Sequence, residues 1–76
     1  MTYSEKIEAA VCRELAKICR KRYSLDKVIE LHERAYSHYR TCAKGYGTPV
    51  SIIDVAYVNA LARYAATFGV QLHEIR

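Results

Sequence analysis

A chain of 76 residues, 51% hydrophobic and 26% charged, with three glycines and one proline, is too apolar for a disordered polymer and too short for more than one domain. At this size folding buries only about 60% of the unfolded chain's surface, so the core has a narrow margin and little room is expected for a substrate pocket of the usual few hundred Å³. The net charge of +4 permits nucleic acid or an acidic partner without selecting either, and no apolar run approaches the roughly 18 residues of a membrane-spanning helix.

The first helix is predicted over residues 3–22. Thr2 and Glu5 have capping-box spacing, with Ser4 as a rival cap. Ile7, Ala10, Val11, Leu15, Ile18 and Cys19 recur at three- and four-residue intervals as one apolar stripe. Glu5 and Glu8 stand near its start and Arg20, Lys21 and Arg22 at its end, in the order that complements the helix dipole.

Ser24 is the expected N-cap of a second helix over residues 25–44, with Asp26 in its first turn. Leu25, Val28, Ile29, His32, Ala35, Tyr36, Tyr39, Cys42 and Ala43 fall on one face, opposite Glu30, Glu33, Arg34, Arg40 and Lys44. Gly45 suits the helix end.

After Gly45-Tyr46-Gly47, Thr48 and Pro49 are read as cap and first residue of a third helix over residues 49–68, stopped by Gly69. Its expected inner stripe is Val50, Ile53, Tyr57, Leu61, Tyr64 and Phe68. It is also apolar elsewhere, and Asp54 and Arg63 are its charges. Such a helix must be covered on more than one side. A second strip around Val55, Val58 and Ala62 is therefore expected to be left open by a three-helix domain and to meet a partner. The competing reading is that the tail over residues 70–75 folds back across it.

Candidate chemistry is sparse. His38 and Cys42 are four apart on the second helix, and Cys12 and Cys19 seven apart on the first. No Cys-x-x-Cys pair joins them, so the sequence favours cysteines packed as small core residues over a zinc site. Cys42 with His38, and His32 with Glu33, are the local pairs from which a nucleophile or base could be built, and neither has a phosphate loop or pocket around it. Three cysteines, an odd number, and an N-terminus without an apolar leader point to a reduced, cytoplasmic protein.

The expectation is an all-α, single-domain three-helix bundle that acts by binding. It is read as a small non-enzymatic interaction or regulatory protein, homodimeric through the third helix or bound to another protein, with Val55, Val58, Ala62, Tyr46 and Tyr23 at the partner surface. No cofactor, metal or membrane association is expected. The size and mixed basic surface also suit a phage- or plasmid-type inhibitor of a host complex. The alternative is a nucleic-acid-associated accessory protein using Arg13, Lys17, Arg20, Lys21 and Arg22 as phosphate contacts, although Glu5, Glu8 and Glu14 interleave with them along the helix.

Overall fold

The computed structural model of the chain describes residues 2–43 and 51–75, which form three helices in the order α1 (Tyr3–Lys21), α2 (Leu25–Ala43) and α3 (Ile52–Ala66), with no strand among the described residues. The all-α three-helix bundle read from the sequence is the observed fold. No helix among them is long and apolar enough to cross a membrane.

Thr2, not Ser4, caps α1. Its Oγ1 accepts from the Glu5 amide at 3.2 Å and donates to the Glu5 carboxylate at 3.1 Å, satisfying one of the helix's orphan N–H groups. At the other end Arg22, expected as the last helical residue, is instead the reversal point. It sits in the left-handed region (φ 50°, ψ 47°) and its N–H donates to Cys19 O at 3.3 Å. Two residues later Ser24 opens α2, its Oγ accepting from the Lys27 amide at 3.3 Å. The Glu30–Arg34 pair forms on the outer face of α2 at 3.0 Å.

The start of α3 differs from the sequence reading. Its N-cap is Ser51, in an extended conformation, whose Oγ accepts from the Ile53 amide at 3.0 Å. Ser51 offers the side-chain acceptor that the first turn needs, with Asp54 in that turn at the positive end of the dipole. Thr48, Pro49 and Val50, expected to begin this helix, and Gly45, expected to end α2, lie outside the described residues. The C-terminal end is a Schellman closure. Val70 N–H donates to Ala65 O at 3.2 Å and Gly69 N–H to Ala66 O at 3.0 Å, with Gly69 at φ +82°. A side chain at that φ would be strained although nothing stands within 4 Å of the position.

α3 packs against both α1 and α2, while those two make no comparable approach to each other. The most apolar helix is thus the middle of the molecule. Val11 and Ile18 from α1, Val28 from α2, and Ala56, Ala60, Leu61 and Ala65 from α3 form the principal core. The alanines let the flanking helices come close, and complete burial of Leu61 contributes about 2–3 kcal/mol.

The rotation of α3 is the main correction to the sequence reading. Val55, Val58 and Ala62, expected to remain open, are buried, whereas Ile53 and Phe68, expected inside, are 63% and 47% exposed. Tyr57 and Tyr64 are half-buried on the same outer line. Hydrophobicity cannot orient a helix that is apolar all round; side-chain shape and polar atoms do. Alanine and valine are small enough to let the flanking helices and the tail approach closely, and they turn inward. The tyrosines keep their hydroxyls near an edge.

Candidate interaction surfaces

The strip on Val55, Val58 and Ala62 is covered by the chain's own tail. Ile75, 9% exposed, closes a second apolar cluster with Val55 and Val58, and Ile7, Ala35, Tyr36 and Tyr39 pack around it. Three polar clasps hold residues 73–75 there. Asn59, buried in the middle of α3, donates from Nδ2 to Ile75 O at 2.9 Å and accepts the Ile75 N–H on Oδ1 at 2.6 Å. Buried His32 places Nε2 2.8 Å from His73 O, acting as donor in the tautomer that carries the proton there. Arg63 donates to Glu8 at 2.6 Å and to Glu74 at 3.3 Å, tying α1, α3 and the tail together. The Tyr36 ring stacks on both His32 and His73, with centroids 5.8 and 6.1 Å away. Among the described residues no buried side-chain nitrogen or oxygen is left without a hydrogen-bond partner.

Asn59 and Arg63 did not stand among the predicted site residues, and His32 was named only as a possible base beside Glu33. The signal for Asn59 was present: one uncharged polar residue amid Val58, Ala60, Leu61 and Ala62 has to find a partner if the helix is central.

The hydrogen bond from Arg63 holds the Glu8 carboxyl below the ordinary glutamate value, and Glu8 in turn raises Arg63. A depressed carboxyl stabilises the fold above its unfolded pKa, and that contribution is lost as pH falls through the folded one. The parent should therefore melt higher than a Glu8→Gln variant at neutral pH, and the gap should close as pH is lowered below about 4.5. A gap independent of pH, followed by thermal melts across that range, would refute the pairing.

On the opposite side of α3 lies an edge made of Ile53, Tyr57 and Tyr64, continued past the helix end by Phe68. The Tyr64 and Phe68 rings meet edge to face with centroids 5.5 Å apart, and Tyr64 Oη donates to Tyr23 O at 3.3 Å. Tyr23, a predicted partner residue, is half-buried against the core here, with Lys21 Nζ 5.9 Å from its ring centroid. Tyr57 lines two shallow clefts. One, of about 150 Å³, also takes in Glu14, Lys17, Ile18, Lys21 and Tyr23. The other, of about 280 Å³, takes in Leu31, Arg34, Ala35, His38 and Asp54. Burial pushes the Tyr57 phenol up, with Tyr23 and Glu14 adding to the effect and Lys21 opposing it. Tyr46, the remaining predicted partner residue, lies outside the described residues.

The basic residues of α1 are all exposed. Two of the acids that interleave with them in sequence are drawn elsewhere, Glu5 to the Thr2 cap and Glu8 to Arg63, whereas Glu14 pairs with one of these basic residues, Lys17, at 3.7 Å. Arg13, Arg20 and Arg22 form no ion pair with another described residue. Arg13 and Arg20 are seven apart and share one outer line of the helix.

Cys12 and Cys19, expected in the core, are exposed, and Cys42 alone of the three is buried. At about 100° per residue the two lie roughly 100° and 80° around α1 from Val11, beyond the face that meets α3. His38 Nε2 is 3.8 Å from both Cys42 Sγ and Asp54 Oδ2. Both groups address the same nitrogen, so the ring does not relay between them as a nucleophile–base–carboxylate chain requires. No group of three or more potential metal ligands comes together among the described residues.

No protein-family model matches the sequence, and comparison with curated proteins and with solved structures finds no similar chain.

Proposed function

We propose that this chain is a non-catalytic binding domain that self-associates through the open edge of α3. The supporting observation is that Ile53, 63% exposed at the start of α3, and Phe68, 47% exposed just past its end, flank the half-buried Tyr57 and Tyr64. Within the helix, from Ile53 to Tyr64, the line runs about 16 Å at 1.5 Å per residue. Exposed apolar stripes of this kind serve association, and tyrosine and phenylalanine are enriched where interfaces are buried most deeply. The order of residues along the edge is also self-complementary. The pairs Ile53 with Phe68 and Tyr57 with Tyr64 are both centred between Ala60 and Leu61. Two copies laid antiparallel about a two-fold axis there would set Ile53 against the partner copy's aromatic end at both ends, as an isologous contact requires.

This reading keeps the third helix as the means of association and moves the contact to its other face. Sedimentation at micromolar concentration is expected to give a species of about twice the 8.7 kDa chain mass. An Ile53→Glu/Phe68→Glu variant should sediment as a folded monomer. A monomeric parent, or a dimer indifferent to both substitutions, sinks the proposal.

A second reading is favoured by the charge separation on α1. With Glu5 and Glu8 engaged elsewhere and Glu14 paired to Lys17, Arg13 and Arg20 on their shared outer line offer a basic ridge on which a nucleic-acid backbone would lie, giving affinity without base specificity. Binding to a labelled oligonucleotide should then weaken steeply with salt, with a smaller slope for an Arg13→Ala/Arg20→Ala variant. A slope the same in both removes this reading.

A further inference from the structure

The tail and its seat have the geometry of a bound peptide on a receptor. Asn59 contacts the N–H and the C=O of the same residue, Ile75, at 2.6 and 2.9 Å. A carboxamide used in this way recognises backbone whatever side chain the residue carries. His32 also contacts backbone, the His73 carbonyl, at 2.8 Å. Two contacts read side chains. Arg63 engages the Glu74 carboxylate at 3.3 Å, and the Val55–Val58 surface accepts the aliphatic side chain of Ile75. The seat is fixed on α2 and α3, so it is positioned by the core and not by the tail.

The tail does not fill the ground it covers. A cleft of about 520 Å³ lies along it, lined by Ala62, Arg63, Ala66 and residues 71–74. A second, of about 310 Å³, opens beside Asn59 and Ile75 towards Tyr3 and Ile7 of α1. Tyr3 is itself 60% exposed at its rim.

We propose that the seat formed by Asn59, His32, Arg63, Val55 and Val58 is a peptide-docking site which the tail occupies as an internal competitor, and that its external ligand is a short protein segment carrying an acidic residue followed directly by an aliphatic one. The occupant is specified by what already fits: two backbone groups for Asn59, a carboxylate for Arg63 and a branched aliphatic side chain for the valines. This site lies on the face of α3 away from the Ile53–Phe68 edge, and it operates whether or not that edge dimerises. An intramolecular segment on a short connection acts at about millimolar effective concentration, so an external segment gains access as the tail's own hold is loosened.

The test uses the full chain and a fluorescent peptide with the sequence of residues 70–75, Val-Gln-Leu-His-Glu-Ile, followed by anisotropy. The Ile75→Ser variant should bind the peptide about tenfold more tightly than the parent, because its tail competes less well while the seat is intact. Adding Asn59→Ala to that variant should abolish the gain, as should a peptide with lysine in place of its glutamate. No gain in Ile75→Ser, or a gain indifferent to both changes, overturns the proposal. If Ile75→Ser loses its helical circular dichroism, the parent chain decides the matter: excess unlabelled peptide should speed hydrogen exchange at the Ile75 amide as the tail is displaced, and unchanged exchange overturns it.

Discussion

Val58→Glu is expected to unfold the domain. Val58 is fully buried between the helices and beneath Ile75, in an apolar cluster with Val55 and Ile75 that Ile7, Ala35 and the Tyr36 and Tyr39 rings close over. Burying an uncompensated charge costs on the order of 4 kcal/mol or more, even when protonation relieves part of it. A chain of this length has roughly 4–11 kcal/mol of total stability, so one such substitution takes a large share. Phe68→Glu is the matched control, just past the end of that helix and with the same incoming charge. Its side chain is 47% exposed, and beyond the edge contact with Tyr64, worth about 0.5–1.5 kcal/mol, little is lost. The two variants should therefore separate stability from association. Val58→Glu should lose helical circular dichroism at 25 °C, whereas Phe68→Glu should keep it and weaken the dimer. If Val58→Glu stays folded with the parent's helix content, the tail does not seat as described and the strip under it is open.

That contrast marks where sequence reasoning stops. The three helices, the caps at Thr2 and Ser24, and the stop at Gly69 were legible because each follows from local chemistry: a side-chain oxygen near an orphan N–H, or a glycine where φ turns positive. The excess of apolar surface on α3 was legible too. Its rotation was not, because an all-apolar helix has no face to distinguish inside from outside. The choice was made by contacts distant in sequence: Asn59 with Ile75, His32 with His73, and Arg63 with Glu8 across 55 residues. Similarly, Glu8 and Glu14 counted against the basic face of α1 while they were read as neighbours of its arginines. In space Glu8 faces Arg63 and no longer opposes the arginines, while Glu14 pairs with Lys17 on the basic face itself. A charge run in sequence is a statement about composition. Its meaning as a surface depends on which partners the fold supplies.

Asn59→Ala carries the second large effect, and its interpretation rests on what the asparagine satisfies. Removing the carboxamide deletes two hydrogen bonds and leaves the Ile75 N–H and C=O buried with no partner. Each unsatisfied group costs about 1–3 kcal/mol, so the seated tail would lose more than it gains from burying Ile75, which is worth about 1.5–3 kcal/mol. The tail is then expected to release. The measured loss is set by release and not by the full penalty, because once free the Ile75 groups hydrogen-bond to water. A destabilisation of about 2 kcal/mol follows, a fall in Tm of roughly 10 °C for a domain this small. Fast exchange of the Ile75 amide and retention of all three helices should accompany it. Asn59→Asp provides the discriminating comparison. It keeps an acceptor for the Ile75 N–H but replaces the donor with a carboxylate oxygen facing the Ile75 carbonyl, so it should release the tail as fully as alanine does. An aspartate variant with the parent's Tm would show that the acceptor alone holds the tail, and the reciprocal recognition of the Ile75 backbone would then have to be abandoned.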